Sequence, residues 1–311
     1  MSAVVTKQQD VTTALKAKRR KGLGWGPWLF ILPLMVYLVL MFGYPLYYSL
    51  IISFKNMNQI TMISGNAHFI GLKNYIQAWS GQQFWHTVGN TLEFTALSIV
   101  FQFSIGLGLA ILFNRKFPGS KFLRSMILVP WLIPALISGT IFKWMFDAND
   151  GIVNEVLLSL HIIHHPIPWL LHSQLAMLVI IATNIWAGIP FNMVLIYSGL
   201  QDVPAELYEA AQLDGASKWK SFWHITIPSV RTVFAIVLML GLIYTLKVFD
   251  IVISLTGGGP ANSTQLLSTW SYTLSFTNLN FGQGAAIANG MMIIALVCTF
   301  FYLWFNKKSL K

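Results

Sequence analysis

Charged residues are scarce in this sequence. Asp, Glu, Lys and Arg make up 10% of its 311 residues, whereas soluble domains carry about 25%. Hydrophobic residues reach 55% and aromatic residues 14%. This composition excludes an ordinary soluble domain and predicts an all-α protein that crosses the membrane several times.

Cysteine and catalytic motifs are nearly absent. The one cysteine, Cys298, lies within an apolar run, so the chain has no disulfide framework. No G-x-x-x-x-G-K-[ST] motif is present to cradle the phosphates of a nucleotide. The few acidic residues form no catalytic pair, and the sequence has no motif that places a nucleophile next to a general base. We therefore expect neither enzyme activity nor a bound cofactor or metal, and a membrane-embedded enzyme has no catalytic set to support it.

Six apolar segments are long enough to cross the hydrocarbon core, which takes about 20 residues. Pro130 and Pro134 interrupt the third of them. A basic tail, residues 1–27, precedes this membrane domain of residues 28–305, and a short tail, 306–311, follows it. A signal peptide would also begin with basic residues, but the first apolar run is too long for one and no small-residue cleavage site follows it. The predicted spans are 28–54, 88–113, 125–146, 174–200, 229–255 and 284–305.

Lys and Arg outnumber Asp and Glu, and the net charge is +10. The basic residues lie at the ends of apolar segments and not along one face of a soluble fold, which argues against nucleic-acid binding. Most of them fall in the two tails and in the loops after the second and fourth spans. By the positive-inside rule, both termini and the loop 201–228 are therefore cytoplasmic.

The loop 201–228 has the pattern of a helix, a tight turn and a second helix. Pro204 suits a first helical turn, and Asp214-Gly215 is a stop signal because glycine readily adopts the left-handed conformation. Ser217 can cap a second helix that begins at Lys218. One interpretation is an amphipathic connector on the lipid headgroups, and the other is a docking surface for a soluble partner. The residues of interest in this loop are Glu209, Ala210, Ala211, Asp214, Gly215, Ala216, Phe222, Ile225 and Pro228.

This loop resembles the EAA loop of binding-protein-dependent ABC importer permeases, in which E-A-A is followed by G after three residues and then by I/L-x-L/I-P. Glu209-Ala210-Ala211, Gly215 and Ile225-Thr226-Ile227-Pro228 occupy the matching places. The resemblance extends from about Phe84 to the C-terminus and is strongest to the sugar branch, including maltose- and glycerol-phosphate-type permeases. The other segments that show this resemblance are Trp169-Leu170, Trp186, Pro190-Phe191, Gly199-Leu200-Gln201, Val203-Pro204, Phe249-Asp250, 255–264 and 281–288.

The resemblance implies a type I ABC importer permease in a bacterial or archaeal cytoplasmic membrane. Its expected partners are a second, similar permease subunit, two copies of a cytoplasmic ABC ATPase that bind ATP and Mg, and an extracytoplasmic solute-binding protein. The loop 201–228 is then the coupling helix, with Glu209 contacting the ATPase and Gly215 supplying the turn. The solute is expected to be a sugar or sugar derivative.

The solute pathway is less clearly marked. Lys247 and Asp250 are three apart in the fifth predicted span, so they are expected to share a face, where they could pair. They lie either along the pathway or between packed helices. The outer segment Gly257-Gly258-Gly259-Pro260 is expected to be a structural turn. His161, His164 and His165 have helical metal-ligand spacing, but the prolines that follow favour an ordinary loop. The candidate pathway or gate residues are Trp186, Asn192, Tyr244, Lys247, Asp250 and Asn289.

Two other functions are weighed against this one. A permease of another importer branch, for phosphate, polyamines or osmolytes, would share the loop but not the segment 255–260. A secondary transporter would need proton- or sodium-coupling groups within its spans, and it would have no use for a docking loop.

Overall fold

The computed structural model describes residues 25–115 and 117–306. Within these ranges the fold is built from α-helices and three π-helical turns, and the one β-type pairing is an isolated bridge between Lys55 and Phe69. The helices are α1 Trp25–Leu38, α2 Tyr44–Ser53, α3 Gln59–Ser64, α4 Lys73–Ser80, α5 Gln82–Asn114, α6 Ser120–Ile127, α7 Val129–Leu132, α8 Ala135–Met145, α9 Ile152–Ser159, α10 Ser173–Gln201, α11 Ala205–Leu213, α12 Lys218–Ser221, α13 Ile227–Leu246, α14 Asp250–Leu255, α15 Leu267–Tyr272 and α16 Phe281–Asn306.

The described part of the N-terminal unit, residues 25–51, is a single apolar helical rod. Helices α1 and α2 join through a π-helical turn at Val39–Gly43, and Trp28–Ser53 is long and apolar enough to cross a membrane. Apolar side chains are exposed on all sides of this rod. A helix that is hydrophobic all round is typical of a segment covered by lipid or by other helices.

The second unit, from Ile52 onward, is organised around α5 and α10. The 33 residues of α5 span about 50 Å, more than the hydrocarbon thickness of about 30 Å. Gly106 lets the two helices approach closely, because a Cβ atom there would lie 2.7 Å from the Cβ atom of Asn192. Helix α13 packs against both, and α16 packs against α15, α4 and α13.

Five described helices are long and apolar enough to span a membrane, and the bent third segment brings the number to six. That third span is broken as the prolines predict: Ser120–Leu132 and Ala135–Met145 meet at 96°. Pro130 lies in the first turn of α7, and Pro134 occupies the N-cap position of α8. Residues 120–124, which were expected to lie in a loop, form the first turns of α6.

The fifth span differs from the prediction at both ends. It begins earlier, because α12, the π-helical turn Phe222–Thr226 and α13 form one helical stretch, Lys218–Leu246. It also ends earlier, because the chain leaves the helix at Lys247 and resumes as α14 at Asp250. Of the basic tails predicted at residues 1–27 and 306–311, residues 1–24 and 307–311 lie outside the described residues. Residues 25–27 and 306 belong to α1 and α16, so the predicted boundaries are wrong by one to three residues.

Candidate functional site: the 205–226 loop and a central cavity

The turn between α11 and α12 is closed by its own backbone. Gly215 has φ +73°, and its N–H donates to the carbonyl of Gln212 at 3.0 Å. The N–H of Ala216 donates to the carbonyl of Ala211 at 2.8 Å. These two bonds form a Schellman motif, which satisfies helix-end carbonyls and requires a left-handed residue. The predicted stop at Asp214-Gly215 is confirmed.

The second helix of the loop also begins as predicted. The hydroxyl of Ser217 accepts a hydrogen bond from the Lys220 N–H at 3.3 Å, which caps α12. The Tyr208 hydroxyl lies 2.9 Å from the Thr226 hydroxyl and ties α11 to the start of the fifth span. The loop is therefore a braced element and not a slack connector.

The sequence predicts that the second helix ends at Pro228 and that Phe222 and Ile225, three apart, share one of its faces. Both predictions are wrong. Pro228 does not end the second helix, because it lies in the first turn of α13 within one continuous helical stretch. Phe222 and Ile225 lie in a π-helical turn, so the α-helical spacing used to place them on one face does not apply. Both side chains are half-buried.

The outer surface of the loop combines acidic, small and large apolar side chains. Glu209 and Ala210 are exposed, while Ala211 and Ala216 are half-buried. Leu213 is 90% exposed and Trp219 is 71% exposed beside the turn. Neither residue was singled out from the sequence, because singly exposed apolar side chains are common and give no specific signal.

A cavity of about 480 Å³ lies between α5, α10, α13 and the break before α14. Its wall carries three buried amide side chains, from Gln102, Asn184 and Asn192. Gln102 donates to the carbonyl of Asn184 at 2.8 Å, and Asn192 donates to the carbonyl of Gly188 at 2.9 Å. Asn184 Nδ2 is buried and has no protein partner. Unpaired buried amides are rare, because leaving one unsatisfied costs about 1–3 kcal/mol.

The break between α13 and α14 carries two charges into this cavity. Lys247 is the C-cap of α13, and Asp250 is the first residue of α14, so each complements the dipole of its own helix. The prediction that they share a helical face, where they could pair, is wrong. Among the described residues, neither forms an ion pair, and the Lys247 ammonium instead lies 5.0 Å from the ring centroid of Tyr244.

The cavity brings together Asn192, Tyr244, Lys247 and Asp250, four of the six predicted pathway residues. The other two lie elsewhere. Trp186 packs against Phe142, with 5.4 Å between ring centroids, and Asn289 is buried in α16 away from the cavity wall. Gln102 was missed, because a lone amide in an apolar span gives no local signal.

The glycine-rich segment 257–260 forms a compact turn. Gly257 and Gly258 have φ of +62° and +90°, and a Cβ atom at Gly258 would lie 2.4 Å from the Gln265 amide. The Thr264 hydroxyl donates to the Gly259 carbonyl at 2.6 Å and lies 2.8 Å from the Thr256 hydroxyl. The geometry matches the structural turn expected for residues 257–260.

The three histidines are not on a helix. Residues 161–165 follow α9 as an irregular segment, and His161 has φ +55°. The i, i+3, i+4 spacing therefore does not bring their side chains together. Within residues 25–115 and 117–306, no group of three or more His, Cys, Asp or Glu side chains is placed to hold a metal ion.

This arrangement has counterparts among known proteins. Residues 102–311 match the family model described as binding-protein-dependent transport system inner membrane component. The chain is 33% identical, over 94% of its length and 96% of the relative, to the trehalose/maltose transport system permease protein MalF of Thermococcus litoralis. It is 32% identical, over 94% of its length and 89% of the relative, to the diacetylchitobiose uptake system permease protein DasB of Streptomyces coelicolor.

The fold also matches a solved structure. A chain of a bacterial ABC transporter involved in the import of the acidic polysaccharide alginate superimposes with a TM-score of 0.80 at 22% sequence identity. The match covers 96% of this chain and 100% of that chain. At this identity the likeness shows a shared fold.

Proposed function

Because this chain belongs to the family of binding-protein-dependent transport system inner membrane components, we propose that it forms part of the membrane pathway for a sugar or sugar derivative. The predicted resemblance to sugar-type ABC importer permeases is confirmed by the family match and by the sugar permeases among the relatives. The chain is a multi-pass membrane subunit, and its described residues contain five or six candidate membrane helices. Our proposal concerns its partners, its orientation and the roles of its residues.

The loop 205–226 is the proposed contact with the ATPase, and its closed turn is the observation that carries the proposal. A Schellman motif, a serine cap and the Tyr208–Thr226 hydrogen bond make the loop rigid. A rigid loop transmits a displacement of the ATPase to the membrane helices, whereas a flexible loop absorbs it. Exposed Glu209 and Leu213 offer a polar and an apolar contact to a soluble partner.

The energy comes from the partners in this proposal. The chain has no phosphate-binding loop of its own, so two copies of an ABC ATPase hydrolyse ATP and hold the Mg. A second, similar permease subunit completes the pathway, and an extracytoplasmic binding protein delivers the solute. The distribution of Lys and Arg supports cytoplasmic termini and a cytoplasmic loop 201–228 in the inner membrane.

The central cavity is the proposed stretch of the solute pathway in this subunit. Ligand sites in proteins combine apolar and aromatic walls with a few well-placed polar groups. The cavity offers the unpaired amide of Asn184, the charges of Lys247 and Asp250, and the ring of Tyr244. Amides and aromatic faces suit a sugar, which presents both hydroxyl groups and apolar C–H surfaces.

The deciding experiment replaces Gly215 in the assembled importer. Gly215→Val places a β-branched residue at φ +73°, which costs about 1–2 kcal/mol or more of backbone strain. Gly215→Asn is the matched control, because asparagine tolerates this conformation. A Cβ atom at this position meets no neighbour within 4 Å, so the two variants differ in backbone strain and not in packing.

We expect Gly215→Val to lose most of the stimulation of ATP hydrolysis by the solute-loaded binding protein, and Gly215→Asn to retain it. Glu209→Ala is expected to weaken co-purification of the ATPase. Equal stimulation in both glycine variants contradicts the coupling role. If no ATPase co-purifies and the chain alone moves solute along an ion gradient, the protein is a secondary transporter. Uptake of phosphate, polyamines or osmolytes in place of sugars assigns it to another importer branch.

A further inference from the structure

Helix α6 has two chemically opposite faces. At 100° per residue, Ser120, Lys121, Arg124 and Ser125 fall within one arc, while the apolar residues of the helix fill the other. The apolar face is open, since Phe122 is 68% exposed and two further residues on it, Leu123 and Met126, are exposed as well. A helix with Lys and Arg on one face and Phe and Leu on the other is typical of the membrane–water interface.

The basic face of α6 borders a cavity of about 460 Å³ at the end of α5. Arg115, Lys121 and Arg124 line this basic cavity, and no acidic side chain lines it among the described residues. Three cations around one cavity repel each other, and an anion relieves that repulsion. The arrangement therefore favours a negatively charged occupant.

Arg124 is held in place but is incompletely satisfied. Its guanidinium carbon lies 4.2 Å from the ring centroid of Tyr197 on α10, a cation–π geometry. Its Nε is buried and has no hydrogen-bond partner in the protein. An oriented guanidinium with an unused donor is a suitable ligand for phosphate oxygens.

The first turn of α6 adds backbone donors to the same cavity. Its N-cap is Gly119, with φ +80°, and no side chain caps the turn. Ser120 and Lys121, the first two residues of the helix, line the cavity. The Ser120 N–H already donates to the carbonyl of Phe117 at 3.3 Å. The donors left at this helix start are the N–H groups that follow it, and such groups bind anionic oxygens, here beside the basic side chains.

We propose that the basic cavity binds the phosphate group of an anionic phospholipid. The required chemistry is a phosphate, and the exposed Phe122 and Met126 on the opposite face of α6 favour a lipid source over free phosphate, because they place the helix in the acyl-chain boundary. Basic pockets between membrane helices on the cytoplasmic side bind such headgroups. The inference does not depend on the transported solute or on the ATPase.

The cavity is connected to the loop 205–226. Gln201, at the end of α10, donates from Nε2 to Asn114 Oδ1 at 2.6 Å, and both residues line the basic cavity. Asn114 and Arg115 also line the neighbouring cleft with Tyr208 and Trp219. An occupied headgroup site therefore lies one side chain away from the braced loop.

The test measures lipid binding to the purified full chain by native mass spectrometry. The probes are phosphatidylglycerol, phosphatidylcholine with matched acyl chains, and inorganic phosphate as a competitor. One variant combines Lys121→Gln with Arg124→Gln, and the other is Arg115→Gln alone. The Arg115 side chain is exposed, so its replacement should leave folding intact. Lys143→Gln removes an exposed charge outside the cavity and is the matched control.

We expect phosphatidylglycerol to bind at least tenfold more tightly than phosphatidylcholine. Each charge removed from the cavity should weaken that binding about fivefold, while the Lys143→Gln control should match the wild type. Equal binding of the two lipids, or unchanged binding in the Arg115→Gln variant and the double variant, overturns the proposal. Displacement of the lipid by millimolar phosphate overturns the lipid assignment and leaves a free-phosphate site.

Discussion

The Trp169 indole donates a hydrogen bond from Nε1 to Asn154 Oδ1 at 2.9 Å. The same oxygen accepts the Ile167 N–H, and Asn154 Nδ2 donates to the carbonyls of Asp147, Ala148 and Ile167. The Trp169 ring packs edge-on against Phe146, with 5.4 Å between centroids. One buried asparagine therefore joins the end of α8, the helix α9 and the segment that leads into α10.

Replacing Asn154 by alanine should loosen this whole region. The substitution leaves several buried backbone groups without partners, each at about 1–3 kcal/mol. We expect the unfolding temperature of the purified chain to fall by roughly 5 °C or more, measured by thermal unfolding in detergent. Asn149→Ala, at an exposed position nearby, should change it little. Equal unfolding temperatures for the two variants contradict the joining role of Asn154.

Two glycines on α5 allow a matched test of the α5–α10 contact. Gly106→Ala places a Cβ atom 2.7 Å from Asn192 Cβ, so the helices must separate, at a cost of about 1–3 kcal/mol. Gly108→Ala meets no neighbour within 4 Å and should stabilise the helix by up to about 1 kcal/mol. The unfolding temperature should therefore fall in the first variant and be equal or higher in the second. A fall of similar size in both variants would contradict the close contact of α5 and α10 at Gly106.

The loop 205–226 was predictable because its signals act locally. Gly215 sets its own backbone conformation, and Ser217 caps the turn that follows it directly. The start of the fifth span was not predictable in the same way. Pro228 has the same preference for a first helical turn whether or not a π-helical turn precedes it, so the sequence contains no sign that α12 continues into α13.

The break at Lys247 was missed for a tertiary reason. No proline or glycine marks it, and Val248, which lies inside it, is an apolar residue in an apolar run. The Val248 carbonyl lies beyond the end of α13. It accepts a hydrogen bond from the hydroxyl of Ser268, twenty residues later in the chain. The cavity could not be predicted from the sequence for the same reason, because its Gln102–Asn184 hydrogen bond joins residues 82 positions apart.

The loop after α8 should respond to acid through Asp147. Its carboxylate accepts hydrogen bonds from the N–H groups of Asn149 at 2.9 Å and Asp150 at 3.2 Å, and these bonds lower the pKa of Asp147. A carboxyl with a lowered pKa stabilises the folded loop above its unfolded pKa of about 3.9, and that stabilisation disappears as the pH falls through the folded value. The loop should therefore be insensitive to pH near neutrality and loosen in acid.

Hydrogen exchange of residues 147–151, corrected for the intrinsic effect of pH, measures this change. Asp147→Asn is the control, because asparagine keeps the acceptor oxygen and does not titrate. Its protection should be the same from neutral pH down to about pH 3, whereas the wild-type loop should lose protection below about pH 4. If the wild-type loop already lost its protection near neutral pH, a titratable group other than Asp147 would be responsible.

Lys247 and Tyr244 allow packing and transport roles to be separated. The ammonium lies 5.0 Å from the Tyr244 ring in the cavity wall. Lys247→Met keeps the length of the side chain and removes the charge. Because hydrogen bonds to charged groups contribute about 1.5–3 kcal/mol, we expect sugar uptake by the reconstituted importer to fall at least about tenfold, with all subunits still co-purifying.

Tyr244→Phe should keep most uptake, since the ring face remains, whereas Tyr244→Leu should lose it. Lys143→Met, which removes an exposed charge outside the cavity, should transport like the wild type. If Lys247→Met instead disrupts assembly while any uptake that remains keeps the wild-type solute preference, Lys247 serves to hold the α13–α14 break and not to contact the solute.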